Sequence, residues 1–175
     1  MVILGLSLMA CEETVQTVST PNEEYNLDVE KAKDVEMIYS DEGNVRVRVL
    51  SPSLVRHKKK QDPYTEFPDG LDVTFYSATL KKTSTLTAKY AIRQERYNKV
   101  IIQDSVVVMT VNNDKIETDE LVWNEKKERI TSDKFVKITT DDEEITGTGF
   151  RGNQDFSEYE IDSISGIVKI DKKGF

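Results

Sequence analysis

The sequence predicts an all-β domain of antiparallel strands, and three observations predict it. Short runs of β-branched and aromatic residues alternate with polar ones, turn signals recur about every ten residues, and no stretch carries a convincing 3.6-residue apolar period. The combination reads as an antiparallel sandwich, barrel or solenoid closed by hairpin-type turns.

The strand series begins at Val35 with VEMIYS. NVRVRVLS follows, with Val45, Val47 and Val49 on one face and Arg46 and Arg48 on the other, a strand with one wet face. GLDVTFYS, STLTAKYAI, KVIIQDSVVVMTV, KIETDELVW, KFVKITT, EITGTGF, SEYEID and GIVKI continue the series. Between them lie DEGN, FPDG, LKKT, VNND, NEKKE, TTDDEE, RGNQD and SISG, each rich in residues that turn the chain. Period two places Leu71, Val73 and Phe75 on one face, Leu86, Ala88 and Tyr90 on another strand's matching face, and Leu121 and Trp123 likewise. Phe135, Ile145, Phe150, Phe156, Tyr159 and Ile161 extend this inner face. Most of these side chains are expected to pack a dry core. The stretch YNLDVEKAKDVEMI offers a helix only a thin stripe of Val29, Val35 and Ile38. NVRVRVLS and GIVKI are the expected sheet edges, the latter blunted by Lys169, Lys172 and Lys173 and still able to accept a matched strand.

Ahead of the strands, VILGLSLMA is apolar for nine residues, too short for a spanning helix of about 20 residues, and it fits a signal-peptide core. Leu8 and Ala10 before Cys11, the chain's single cysteine, resemble the lipobox of bacterial lipoproteins, in which the cysteine carries the lipid. The basic segment usual before such a core is missing. Residues 12–33 are polar and acidic with Pro21 and read as a flexible tether. The expected organisation is therefore a signal peptide over 1–10, a lipidated polar tether over 11–33 and a β domain over 34–175.

Composition narrows the function. Apolar residues make up 37% and charged residues 32%, with a net charge of −8, which describes an acidic globular domain. Nucleic acid is excluded as a partner, because phosphate backbones call for a basic footprint. One cysteine allows no disulfide within the chain. His57, the single histidine, lies among lysines in RHKKK and reads as a loop residue, so neither a histidine metal site nor a Ser–His–Asp triad is expected. The acids of DDEE at 141–144 lack the alternating spacing of a calcium loop and read as a hairpin tip. Neither GxxxxGK[ST] nor GxSxG occurs, and the expectation is a binding module without cofactor, metal or catalytic residues.

The middle of the chain carries a resemblance. FPDG with Leu71, Val73 and Phe75, then Leu86, Ala88 and Tyr90-Ala91, the TDELVW block at 118–123, SDKFV at 132–136 and the block from Gly147 through DFS to Tyr159 occur in the order and spacing of the LptC family. It is the periplasmic bitopic component of the lipopolysaccharide export machine. The resemblance covers about two-thirds of the chain. It implies an open β-jellyroll like those of LptC, LptA and OstA, a V-shaped pair of antiparallel sheets and not an enzyme. The implied partners are lipopolysaccharide, the inner-membrane Lpt ABC transporter and, through strand-edge pairing, a periplasmic bridge of LptA-like domains. The implied groove-facing set is Leu71, Val73, Phe75, Leu86, Ala88, Tyr90, Leu121, Trp123, Phe135, Phe150, Phe156 and Tyr159. Members of the best-known branch anchor through an uncleaved N-terminal helix, whereas LSLMAC points to an acyl anchor at Cys11 and an inner-membrane lipoprotein facing the periplasm. Two other readings compete: a surface or periplasmic β-sandwich lipoprotein binding protein or glycan, and a carbohydrate-active enzyme using two carboxylates facing across a cleft.

Overall fold

The computed structural model describes residues 28–58 and 61–169. Eleven antiparallel strands form one continuous hydrogen-bonded sheet: β1 Val29–Asp41, β2 Asn44–His57, β3 Tyr64–Phe67, β4 Leu71–Tyr76, β5 Lys82–Ala88, β6 Tyr90–Gln94, β7 Lys99–Thr110, β8 Lys115–Asn124, β9 Arg129–Thr139, β10 Glu143–Asn153 and β11 Tyr159–Lys169. A single 3₁₀ turn, Glu95–Tyr97, joins β6 to β7. Residues 29–33, expected in the tether, belong to β1, and the weak helical stripe over the same stretch is strand. Cys11, the signal-peptide core and the tether up to residue 27 lie outside the described residues.

Two long strands fold the sheet upon itself. In β2, residues 47–50 pair with β4, and residues 55–57 pair with β3. In β7, residues 99–103 pair with β6, and residues 107–110 pair with β5. Since β4 also pairs with β5 and β3 with β6, the order β2-β4-β5-β7-β6-β3 returns to β2. The chain turns this corner in β7 at Asp104 and Ser105, whose positive φ values of 65° and 56° break the apolar run KVIIQDSVVVMTV. Register shifts at the matching level of β8, β9 and β10 carry the bend outward, one of them at Gly149 with φ +81°. The result is a β-jellyroll of two faces sharing their long strands.

The turns explain themselves locally. Glu42 and Gly43, with φ of 48° and 80°, make a two-residue loop with both central residues left-handed, the geometry that matches the twist of a hairpin. The Thr140 hydroxyl accepts the N–H groups of Asp142 and Glu143, so Asp141 and Asp142 form a hairpin tip as the sequence suggested. His57, by contrast, ends β2. Its ring stacks on Tyr64 at 4.3 Å and its Nε2 meets Glu66 at 3.3 Å, so it is a strand residue and not a loop one. Arg56 and Lys58 beside it are paired with Glu95 and Glu30.

One strand at each end has a single neighbour: among the described residues β1 pairs only with β2, and β11 only with β10. The first edge is thus β1, not the NVRVRVLS strand, which the sequence placed there. Both edge strands are largely exposed, and β11 presents Ile164, Ile167 and Val168 to solvent.

Candidate lipid-binding interior

The alternation of the strands places one side of each in a common apolar interior. Leu71, Val73, Phe75, Leu86, Ala88, Leu121, Trp123, Phe150 and Phe156 all lie in one buried cluster, and half-buried Tyr159 packs against it. Each side chain fully withdrawn from water contributes about 1.5–3 kcal/mol.

Two of the twelve candidates face elsewhere. β5 ends at Ala88 and β6 starts at Tyr90, and the break at Lys89 shifts the phase so that Ala91 takes the buried position. Tyr90 points outward, and its hydroxyl donates to Glu66 Oε1 at 3.4 Å. In β9 the buried positions are Ile130, Ser132, Val136 and Ile138, which leaves Phe135 on the opposite face, 55% exposed, over a surface depression with Val107 and Lys137.

The interior aromatics form a connected series from one edge strand to the other. Tyr39 of β1 meets Trp123 edge-on with ring centres 6.2 Å apart, and Trp123 meets Phe75 at 6.0 Å. Phe75 meets Phe156 at 5.7 Å, Phe156 meets Phe150 at 6.1 Å, and Phe150 stacks on Tyr159 of β11 at 5.7 Å. Edge-to-face pairs at these separations are favourable beyond the area they bury. The indole N–H of this series is satisfied, since Trp123 Nε1 donates to buried Gln154 Oε1 at 3.2 Å.

Met37, Tyr39 and Arg93 belong to this interior and were not expected there. Tyr39 carried a signal, for it stands two residues from Met37 in an alternating run; Arg93 carried none. The Arg93 guanidinium donates through Nε and Nη2 to both oxygens of Glu125, at 2.9 and 3.2 Å, and lies 5.6 Å over the Tyr39 ring. Burial pulls the Arg93 pKa down, yet the hydrogen bonds to Glu125 and the proximity of Tyr39 hold it above the ordinary arginine value. The space enclosed by Met37, Tyr39, Phe75, Arg93, Trp123 and their neighbours is about 20 Å³, room for roughly one water. Side chains nearly fill this end of the interior.

A family model described as lipopolysaccharide-assembly, LptC-related, matches residues 2–164. The chain belongs to the LptC family. That membership ties it to lipopolysaccharide transport, and its jellyroll is the fold expected from the motifs. LptC proteins are periplasmic and associated with the inner membrane. No curated protein matches the chain. Among the described residues no helix is long and apolar enough to cross a membrane, and no group of His, Cys, Asp and Glu is placed to hold a metal ion.

At the β11 end of the aromatic series, burial first and then the hydrogen bond its hydroxyl donates to Asp114 Oδ2 at 3.0 Å push the Tyr159 pKa up to about 12. The folded state therefore holds this proton more tightly than the unfolded chain, whose tyrosines titrate near pH 10. The stabilisation is complete below pH 10 and is lost as pH rises from 10 to 12. Urea midpoints of the wild type should fall across that window, and Tyr159→Phe should flatten part of the fall. An equally steep fall in the variant would place the alkaline loss elsewhere.

Proposed function

We propose that this LptC protein binds the acyl chains of lipopolysaccharide along its aromatic interior and passes the lipid from the inner-membrane ABC transporter to a periplasmic bridge of like-folded domains. The observation that supports this reading is the aromatic series from Tyr39 to Tyr159, which runs between the two strands that have a single neighbour among the described residues. Apolar contact of this kind stabilises each buried methylene by about 0.8 kcal/mol and does not depend on the details of the chain. Free N–H and C=O groups along β1 and β11 can accept a strand from a neighbouring domain, which would set two interiors in line. The chain acts as a conduit, not as an enzyme. The net charge of −8 repels anionic lipid at a distance, so delivery comes from a partner in contact. At the N-terminus the proposal keeps an acyl anchor on Cys11, carried by the LSLMAC stretch alone. Metabolic labelling with an alkyne fatty acid should mark the wild type and not Cys11→Ser; unlabelled wild type would leave an uncleaved N-terminal segment as the anchor.

The small free volume beside Trp123 favours a second reading, a β-sandwich lipoprotein that binds protein or glycan on its surface. Photo-crosslinking in cells separates the two. A benzoyl-type probe at Phe75, Trp123 or Phe150 should form lipopolysaccharide adducts, whereas probes at exposed Lys82 and outward-facing Phe135 should not. The adducts should fall on ATP depletion. A folded protein giving none at the three inner positions would overturn lipid transfer in favour of the surface reading.

A further inference from the structure

The interior and the surface meet at one place beside β1. A depression of about 490 Å³ is lined there by apolar Met37 and Leu54 and by the charged residues Glu30, Lys31, Arg56, Arg93 and Glu95. Met37 and Arg93 also line the interior void, so these two side chains form the partition. Arg93 does not sit on the wet side of its strand. It stands opposite Val100, which stands opposite Trp123, and both neighbours are buried. An arginine turned toward an apolar interior needs a counter-charge, and Glu125, just past β8, supplies it with a bidentate grip. Tyr39 lies under the same guanidinium and against Trp123, closing the void from the β1 side.

We propose that Arg93, Glu125 and Tyr39 are a latch keyed by the phosphate of an anionic amphiphile. A phosphate seated in the depression takes the Arg93 fork from Glu125, Tyr39 loses its cationic partner and swings out, and the acyl chain enters beside Trp123. The proposal rests on the lipid-transfer reading and adds how the interior opens. Arginine is suited to the exchange because its planar fork fits carboxylate and phosphate alike, so the Arg93 charge keeps a partner throughout. Met37 and Leu54 in the lining receive the first methylenes. Tyr39 is free to move because β1 pairs only with β2 among the described residues, and the pairing is already irregular between Tyr39 and Ser40. The ring of strands β2 to β7 stays intact. An uncharged amphiphile cannot displace Glu125 and meets a shut entrance.

Trp123 is the single tryptophan and reports on the interior directly. Full-length protein would be titrated, below micelle formation, with dodecyl phosphate, with uncharged dodecyl maltoside and with inorganic phosphate, following Trp123 emission. Dodecyl phosphate should half-saturate at a concentration lower than the maltoside by about tenfold or more, the scale of one charge-assisted hydrogen bond, and inorganic phosphate, which lacks the chain, should act only at far higher concentration. Glu125→Gln and Tyr39→Ala should each bring the uncharged amphiphile close to the phosphate, and Arg93→Met should abolish the preference. Equal half-saturation in the wild type, a preference that survives Arg93→Met, or an equal response to inorganic phosphate would each overturn the latch while leaving lipid binding in place. If neither amphiphile perturbs Trp123 in the wild type or in folded Tyr39→Ala, lipid transfer itself fails.

Discussion

Phe75→Ala is expected to destabilise the domain by about 3–5 kcal/mol. The side chain is 1% exposed and joins the two halves of the aromatic series, touching Trp123 on one side and Phe156 on the other, both edge-on. Removing it deletes the transferred surface and leaves a hole that three strands would have to shift to fill. Against a typical total of about 5–15 kcal/mol this is a large share, so the urea midpoint should drop steeply while the slope stays unchanged. Trp123 emission follows both the unfolding and any local loosening. Phe135→Ala is the matched comparison, since its ring is exposed and its loss should change stability by about 0.5 kcal/mol or less. A cost under about 1 kcal/mol for Phe75→Ala would mean the interior is loosely filled in solution, and the closed entrance would lose its significance.

Gly70→Ala should be nearly as damaging, for a different reason. Gly70 has φ +87°, and a Cβ built there would lie 2.7 Å from the Ala88 carbonyl oxygen and 3.4 Å from the Lys89 Cα. Both obstacles are backbone of the β5–β6 link, and the Gly70 carbonyl is itself held by the Ser51 hydroxyl at 2.7 Å. Gly43 isolates the conformational part: its φ is +80° with nothing within 4 Å of the same Cβ. Gly43→Ala should cost about 1–2 kcal/mol, the penalty of a left-handed residue with a side chain. Gly70→Ala should cost roughly twice that or more, a gap of several degrees between the melting temperatures of the two variants. Equal losses would show that the β5–β6 link yields freely and that the FPDG turn tolerates a side chain.

The strands with one wet face were legible because burial itself writes the alternation. Val47 and Val49, and Leu71, Val73 and Phe75, are where a count of two put them. The count failed where it was carried across a break. Tyr90 follows Leu86 and Ala88 in the sequence rhythm, but the strand ends between them, and Ala91 is the residue that turns inward. Phe135 was assigned by its apolarity, whereas Val136 beside it holds the buried position. β1 was only half seen, because an edge strand exposed over residues 30–34 has no buried side to announce it. Arg93 was invisible for a related reason. Its inward position depends on Glu125 and Tyr39, 32 and 54 residues away, and no local pattern encodes a partner at that range. The LptC motifs were legible as an ordered set, and the family match over residues 2–164 agrees with them.

The ring of strands also bears on how the chain reaches its fold. Among the described residues every pairing joins segments close in sequence: the widest, in the β3–β6 ladder, sets Tyr64 against Gln94, thirty residues apart. The outer ladders are no wider, with Val29 opposite His57 and Glu143 opposite Lys169. An all-β domain is ordinarily slow to fold because distant segments must find one another. Here each new strand meets its partner within about one hairpin and a half of chain. The domain can be completed in order from its N-terminal side as the polypeptide emerges, with few long-lived open edges available for pairing between neighbouring chains.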